Sequence, residues 1–426
     1  MKVLVVGSGA REHALAWKLG MSPRVKQIFT APGNAGTAQI GQNLNISPTD
    51  VETLGQVARE RRFDLVVVGP EAALAAGIVD HFQEIGIPVF GPDKAAARIE
   101  SSKVFAKELM QQYGLPSPGS ITFTDFARAS DYIKKHPAPL VIKADGLAAG
   151  KGVTVAETTP QALAALAEMM QARAFGIAGD RVIIEDKLVG REVSALAFTD
   201  GRTVVPMVPA CDYKPVYDGN RGPNTGGMGS YSPPPFYHAR LAKRVQQTIL
   251  EPAVKAMSAE GHPYRGVLYA GLMVNTGRPK VLEFNARFGD PETQVILPRL
   301  KTDLVEIIMA VINGRLDQIK VAWHRDTTVG VVLASGGYPG SYARGLPVTG
   351  LDKLDRDVLV FHAGTSAGPA PGEVLTSGGR VLTVVATGPT LAEAREKVYA
   401  NISRIHLKGG HYRRDIAEIK EADKVA

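Results

Sequence analysis

Two uninterrupted apolar runs, KVLVVG at 2–7 and DLVVVG at 64–69, set the tightest limit on how this chain can fold. Strands that are apolar on both faces need cover on both faces. A parallel sheet between helical layers gives that cover, whereas an antiparallel sheet with one wet face does not. IPVFG at 87–91 is a shorter third run, and amphipathic segments near 12–19 and 77–85 supply the crossovers. The first hundred residues are therefore expected to form an open doubly wound parallel sheet. Its ligand loops would be GSGAREH at 7–13, APGNAGT at 31–37 and GPE at 69–71, all at strand C-termini.

The rest of the chain keeps the α/β character. A helix is expected over 94–113, followed by the breaker LPSPG at 115–119 as a hinge. Residues 120–190 form a small mobile lobe: strands PLVIKAD and VTVAE around a glycine loop, a helix over 160–173, and a strand RVIIED. Strands dominate 191–210, a long loop spans 212–236, and a helix covers 239–260. A hairpin, GVLYAGLMV and KVLEFN joined by NTGRP, follows. From about 326, short strands and a helix at 391–405 make a compact α+β appendage. The expected domains are 1–101, 102–325 and 326–426.

At 426 residues and 45% hydrophobic content, the chain can fill about three domain cores. Its net charge of +7 favours anionic ligands. No long Lys/Arg block occurs and aromatics are only 6%, so a nucleic-acid groove is not indicated. Cys211 is the single cysteine, which excludes an intrachain disulfide and a cysteine-rich metal site. The opening MKVLVVGSGA lacks the pattern of a signal peptide, and no apolar run of roughly 18 residues follows. A cytoplasmic protein without membrane contact is expected.

Chemistry concentrates in KVLEFNARFGDPETQ at 280–294. If 281–288 runs as a strand, Glu283, Asn285 and Arg287 share one face, and Leu282, Phe284, Ala286 and Phe288 share the other. A carboxylate, a neutral oxygen donor and a guanidinium two residues apart suit a Mg²⁺–phosphate station. The turn GDP brings Asp290 and Glu292 beside that row. The plainer alternative is a solvated strand face with a Glu–Arg pair.

Three glycine motifs differ in strength. GSGARE at 7–12 lacks the third glycine of a dinucleotide fingerprint, and no acidic residue ends the second strand. It argues against NAD, while leaving room for one phosphate at a helix N-terminus beside Arg11. DGLAAGKGV at 145–153 is not a phosphate loop of the Walker type, but a strand–loop–strand flap can lay backbone N–H groups and Lys151 over a triphosphate. Lys143, on the strand before it, suits an inner phosphate. A glycine-rich hairpin with a solvated lysine is the alternative. GPNTGGMG at 222–229 is denser in glycine than a core element tolerates and suits close backbone approach to a ligand. Cys211 reads as a small buried apolar residue, because no base is arranged beside it.

In chain order, GSGAREHA, APGNAGT, VGPE, SSKVFAK, IKADGLAAGKGV, GPNTGGMGSYSP, LYAGLM, EFNARFGDPETQ and GGYPG resemble the ATP-grasp ligases. Within them the match is to the glycinamide ribonucleotide synthetases (phosphoribosylamine–glycine ligases), and it runs from residue 1 to beyond 340. The resemblance implies an N-terminal substrate domain, a central two-lobed ATP-grasp and a C-terminal domain. It implies ATP phosphates at Lys103, Lys143, Gly146, Gly150, Lys151 and Gly152, and adenosine at Glu185, Leu188 and Glu192. Mg²⁺ or Mn²⁺ would sit at Glu283 and Asn285. Glycine and 5-phosphoribosylamine would lie among Gly9, Arg11, Asn34, Glu71, Asp212, Asn224, Thr225, Gly226, Gly227, Arg287 and Asp290.

The implied reaction forms glycyl phosphate and then an amide, with Arg287, Lys143 and Lys151 as the catalytic cations in a monomer. Ala10, Cys211, Tyr213, Pro215 and Ala417 depart from the family pattern. A carboxylase of the same superfamily is the alternative, but it would carry a metal-binding glutamate on the preceding strand, and VLYAGLMVN has none. A nucleotide sensor without turnover is a second alternative, opposed by the intact Lys, Glu, Asn and Arg positions.

Overall fold

The computed structural model describes residues 1–147 and 152–418. Gly150 and Lys151 of the expected flap lie outside the described residues. β1 (Lys2–Gly7), β2 (Gln27–Pro32), β3 (Gln42–Asn43), β4 (Leu65–Val68) and β5 (Val89–Phe90) form one parallel sheet in the order β3-β2-β1-β4-β5. The order reverses at β1, so the loops after β1 and β4 open side by side at the carboxyl edge, where such sheets bind ligands. All of β4, and all of β1 except Lys2, is buried, as fully apolar runs require. The crossover helix Val51–Arg61 buries only a narrow face, Leu54, Gly55 and Ala58.

The helix expected over 94–113 is interrupted. Ser102 adopts an extended conformation between Arg98–Ser101 and Lys103–Gln112, and its hydroxyl accepts from the Phe105 N–H to cap the second piece. Next come β6 (Ser120–Phe123), β7 (Leu140–Ala144), β8 (Val153–Ala156) and β9 (Val182–Asp186). They form the small lobe, antiparallel throughout, in the order β6-β9-β7-β8. Helices Phe126–Lys135 and Thr159–Met170 bury Ile133, Leu166 and Met169 against Ile142 and Ile184.

β10 (Arg191–Asp200) and β11 (Val204–Pro206) open the larger lobe. Residues 212–236, expected as a long loop, instead hold most of four short strands: β12 (Cys211–Asp212), β13 (Pro215–Tyr217), β14 (Arg221–Asn224) and β15 (Gly229–Ser232). Dense glycine and proline hide their alternation. The larger lobe is completed by β16 (Arg265–Asn275) and β17 (Arg278–Asn285), giving the antiparallel order β11-β10-β16-β17. β18 (Thr327–Ala334), β19 (Pro347–Thr349), β20 (Leu359–His362), β21 (Thr365–Ala367), β22 (Val374–Thr376), β23 (Arg380–Gly388) and β24 (His406–Leu407) follow. The C-terminal sheet runs β12-β15-β18-β23-β20, so two of its strands come from the glycine-rich segment, far earlier in the chain. Among the described residues, no helix is long and apolar enough to cross a membrane.

The parts are fused by shared cores. Val3 and Val5 of β1, Leu196 and Phe198 of β10, and Ile307 and Ile308 of the helix Leu304–Ile312 lie in one apolar cluster. The N-terminal and C-terminal parts meet at a histidine seam. The His362 N–H donates to His13 Nδ1 at 2.9 Å, and His362 Nδ1 lies 3.1 Å from the Thr365 hydroxyl. Burial lowers both rings, His13 to about 3, helped by its neighbour His362, and His362 to about 4.

This seam carries a pH prediction. Folded values below the unfolded one mean that the seam's stability is complete above about pH 6.5 and drains away as the pH falls towards 4. At pH 5 each ring should have cost roughly 2 kcal/mol. Unfolding midpoints in denaturant between pH 7 and 5 should fall in wild type and fall distinctly less in His362→Gln. Parallel slopes would show that the seam does not set acid stability.

Candidate active site

A cavity of about 900 Å³ lies between the two lobes. On the small-lobe side, pairing of β7 with β9 sets Val141 opposite Glu185, so Lys143 approaches Glu185 from the neighbouring strand. Lys143 Nζ sits 2.9 Å from Glu185 Oε2 and donates to the Leu282 carbonyl at 3.0 Å, so it already spans both lobes. Lys107 Nζ lies 2.9 Å from Glu185 Oε1, and the carboxylate is almost wholly buried between the two cations. Burial, with Lys143 nearby, brings Lys107 down to about 8 against the pull of Glu185. Lys103 Nζ donates to the Gly146 carbonyl at 2.8 Å. Asp145 accepts from the Ser102 hydroxyl and the Val104 N–H, both at 3.1 Å, which anchors the start of the glycine flap on the helix bearing Lys103.

The strand expected to hold the metal departs from its expected form in two ways. β17 ends at Asn285, so Arg287 reaches the site from the following turn and not from the strand itself. A bulge between Gly271 and Leu272 of β16 sets Gly271 opposite Glu283 but Leu272 opposite Val281. The extra residue breaks strict alternation, and Leu282 lines the cavity beside Glu283 while Val281 is fully buried. Phe284, Ala286 and Phe288 are buried as expected.

Among the described residues, the Glu283 carboxylate takes part in no hydrogen bond or ion pair. Burial would raise its pKa, but Lys214, Lys143, Lys103 and Arg287 together outweigh that and hold it below the usual range. Among the same residues, Asn285 Oδ1 beside it meets Arg287 alone, at 3.4 Å. A free ionised carboxylate next to a neutral oxygen donor fits a hard divalent cation.

Arg287 is bound on several sides. Its Nε lies 3.2 Å from Glu71, one terminal nitrogen lies 2.8 Å from Glu100, and the other donates to the Phe288 carbonyl at 3.2 Å. Arg11 also donates to the Phe288 carbonyl, at 3.1 Å, and lies 3.9 Å from Glu71. Burial works to raise Glu71, yet Arg287 and Arg11 bring it down to about 2. Glu100 is raised by burial even with Arg287 beside it, and accepts from the Ala286 N–H at 2.7 Å.

The expected phosphate pocket at the first helix is filled by the chain itself. Glu12 accepts from the Gly9 N–H at 2.6 Å and pairs with Arg11 at 2.6 Å. A Cβ on Gly7 would come within 2.5 Å of the Glu12 side chain, and one on Gly69 within 2.2 Å. Those glycines thus make room for an internal carboxylate, not a ligand. Gly9 does not line the cavity, nor does Asn34. Asn34 spends its amide on the carbonyls of Ser8 and His362 and on the N–H groups of Gly36 and Thr37.

At the far end, Lys214 lies 3.0 Å from Glu192 and 3.3 Å from Asp212. Burial, and then nearby Glu292 and Glu192, bring Asp212 up to about 7 despite Lys214. The hydroxyls of Ser194 and Tyr269 both bond Glu292, at 2.9 and 2.6 Å. Asn224, Thr225, Gly226 and Asp290 close this end, while Gly227 stands just behind the wall. Leu188 and Gly152 join the wall near the lobe junction. Sequence reasoning missed Glu100, Lys107, Tyr269 and Arg380. Each sits in an ordinary helix or strand, and only the tertiary fold aims it inward.

Three family models cover the chain: phosphoribosylglycinamide synthetase N domain at 1–100, ATP-grasp (A) domain at 101–293 and C domain at 328–419. This chain belongs to the phosphoribosylglycinamide synthetase family. A phosphoribosylamine–glycine ligase of Halalkalibacterium halodurans is 48% identical over 100% of this chain and 98% of its own. Another, from Nostoc, is 50% identical over 98% and 99%. The crystal structure of the Thermotoga maritima phosphoribosylamine–glycine ligase superposes with a TM-score of 0.85 at 34% identity, covering 98% of this chain and all of that one. A Campylobacter jejuni biotin carboxylase shares the fold, with a TM-score of 0.74, at only 15% identity over 98% and 94%. The family resemblance and the fold class read from the sequence are both borne out.

For this family member, the alternating charges around Arg287 carry a stability prediction. Arg287→Met should cost about 3 kcal/mol or more, because it leaves the buried Glu100 carboxylate without its cation and close to Glu71. Glu100→Gln keeps the acceptor for Ala286 and should cost about 1 kcal/mol. Denaturant unfolding measures both. An Arg287→Met variant as stable as wild type would show that the pairs hold nothing together.

Proposed function

We propose that this chain is a phosphoribosylamine–glycine ligase, joining glycine to 5-phosphoribosylamine with ATP and giving ADP and phosphate. The observation that carries the reading beyond family membership is the Glu283 carboxylate beside Asn285, without a partner among the described residues and held ionised by Lys214, Lys143, Lys103 and Arg287. The strand next to it matters as well. β16 sets Tyr269 opposite Asn285 and Gly271 opposite Glu283, so no carboxylate joins the pair from that side. That disfavours the carboxylase alternative.

In this reading the nucleotide base lies between apolar wall residues such as Val141, Val155 and Leu282, near Leu188 in the connection between the lobes. Lys103 and Lys143 neutralise the phosphates, joined by Lys151 and the flap. Glu185 acts through its two lysines: its carboxylate is committed to Lys107 and Lys143, so adenosine would meet only its backbone. Glu283 and Asn285 would hold Mg²⁺ or Mn²⁺, which supplies charge neutralisation on the triphosphate when bound.

Glycine and the amine acceptor lie towards Asp212, Arg287, Asp290 and the segment 224–227. The glycine carboxylate attacks the γ-phosphorus and ADP leaves. The amine of 5-phosphoribosylamine then attacks the acyl carbon, and phosphate departs. No enzyme nucleophile is needed. Cys211 fits that absence: burial raises its thiol far above the usual range, and Sγ donates to the Glu192 carbonyl at 3.1 Å. Arg287 already meets two carboxylates, so its contribution to the acyl phosphate is orientation more than net charge. Closure of the small lobe would exclude water from glycyl phosphate. In this reading the chain acts on small molecules in the cytoplasm, as a monomer.

ADP release tests the reading. Glycine should support turnover that depends on 5-phosphoribosylamine, bicarbonate should not, and alanine should be much poorer, since a site fitted to a bare Cα excludes a methyl by overlap. Bicarbonate-dependent ADP release would establish the carboxylase alternative instead.

The metal strand gives a second test. Glu283→Gln should raise the Mg²⁺ concentration needed for half-maximal rate and lower kcat about a hundredfold, on the order of 3 kcal/mol. Phe284→Leu should lower stability by roughly 1 kcal/mol and leave kcat largely intact. The reverse pattern would put the cation elsewhere.

A further inference from the structure

The segment 222–227 enters the cavity from an exposed hairpin; all of β14, Arg221–Asn224, is solvent-exposed. Yet at Gly226 both main-chain polar groups are taken by the C-terminal part of the chain. The Gly226 N–H donates to the Tyr338 hydroxyl at 3.0 Å, and its carbonyl accepts from Arg380 at 2.6 Å. The same guanidinium donates to the Asp290 carbonyl at 3.1 Å and to its carboxylate at 3.0 Å. The other Asp290 oxygen accepts from Gln294 at 2.7 Å, so the pair cannot swivel freely.

One arginine thus ties the tip of the glycine-rich segment to the turn that follows the metal strand. The glycines fit this role sterically. A Cβ on Gly226 would lie 3.0 Å from the Arg380 guanidinium carbon, and one on Gly227, whose φ is +111°, would lie 2.4 Å from the Pro291 ring. Arg380 is neutralised by Asp290 and spent on carbonyls, which suits holding a backbone in place more than supplying charge to a ligand.

We propose that Arg380 and Tyr338 are positioning residues for the non-nucleotide substrates, fixing the segment 224–227 against Asp290 from the C-terminal domain. The inference rests on the ligase reading and extends it, because nothing in that reading gives the C-terminal domain a part in the reaction. The nucleotide end is untouched by the clamp: Lys103 and Lys143 bond to Gly146, Glu185 and Leu282, and none of these meets Arg380 or Tyr338.

The experiment is steady-state kinetics with each substrate varied in turn, for wild type, Tyr338→Phe, Arg380→Gln and Arg380→Lys. Arg380→Gln should raise KM for glycine or for 5-phosphoribosylamine at least tenfold, with KM for ATP within twofold of wild type. Tyr338→Phe removes a single oxygen from an intact ring and should show the same split more weakly, at an unchanged melting temperature. Lysine should rescue Arg380 only in part, since one ammonium cannot reach two carbonyls and a carboxylate in the same geometry. Equal rises in all three KM values, or wild-type kinetics in Tyr338→Phe and Arg380→Gln, would overturn the proposal. Wild type that turns over with glycine and 5-phosphoribosylamine while the variants are normal defeats this inference alone. Wild type without such turnover defeats the ligase reading, and this inference with it.

Discussion

The guanidinium of Arg287 is the hub around which the site is assembled. It follows β17 directly, yet its partners come from elsewhere: Glu71 from the start of the helix Glu71–Ala75 after β4, and Glu100 from the short helix Arg98–Ser101. Arg11 and Glu12 extend the series, giving the alternation Glu12, Arg11, Glu71, Arg287, Glu100. Removing these charges from water is costly, and only the alternation of sign makes the burial tolerable. The arrangement joins the ligand edge of the N-terminal sheet to the end of β17. The placement of the loops after β1 and β4 relative to β17 therefore depends on it.

Against that background of matched charge, the exception has chemical meaning. Lys143 and Lys107 share Glu185, Lys214 shares Glu192 and Asp212, and Arg380 takes Asp290. Glu283 has no partner among the described residues, yet four cations hold it ionised. A protein has little reason to keep a half-buried ionised carboxylate free unless something else compensates it. The proposed divalent cation with its phosphates would do so, and would bring the charge that Lys103 and Lys143 balance. In the proposed reading the lysines and the carboxylate are two halves of one electrostatic design, arranged for a triphosphate and its cation.

How much of this was legible depended on whether a feature was local. The parallel sheet was, because KVLVVG and DLVVVG are apolar on both faces. The shared face of Glu283 and Asn285 was, because residues two apart on a strand point the same way, and both line the cavity. The bulge that turns Leu282 towards the cavity was not, since it depends on how β16 pairs. Nor was the early end of β17, which puts Arg287 on a turn. GSGARE looked like an anion cradle because its glycines make a hollow; the occupant, Glu12, was in plain sight as the third residue of the helix. The strands within 212–236 stayed hidden because they are very short and carry little alternation of their own, and β15 finds its partner in β18, far along the chain. Glu100, Lys107 and Arg380 have no signature at all: a helical glutamate or lysine, or an arginine opening a strand, is ordinary until the fold aims it at a neighbour.

The central claim is that Glu283 and Asn285 hold the cation serving the bound triphosphate. Anomalous diffraction from crystals grown with Mn²⁺ and a non-hydrolysable ATP analogue tests it most directly. The account predicts a manganese peak within direct coordination distance of a Glu283 carboxylate oxygen and Asn285 Oδ1, with the analogue's phosphates completing its shell. A peak held instead by Asp212 and Glu292, with Glu283 left uncoordinated, would contradict it.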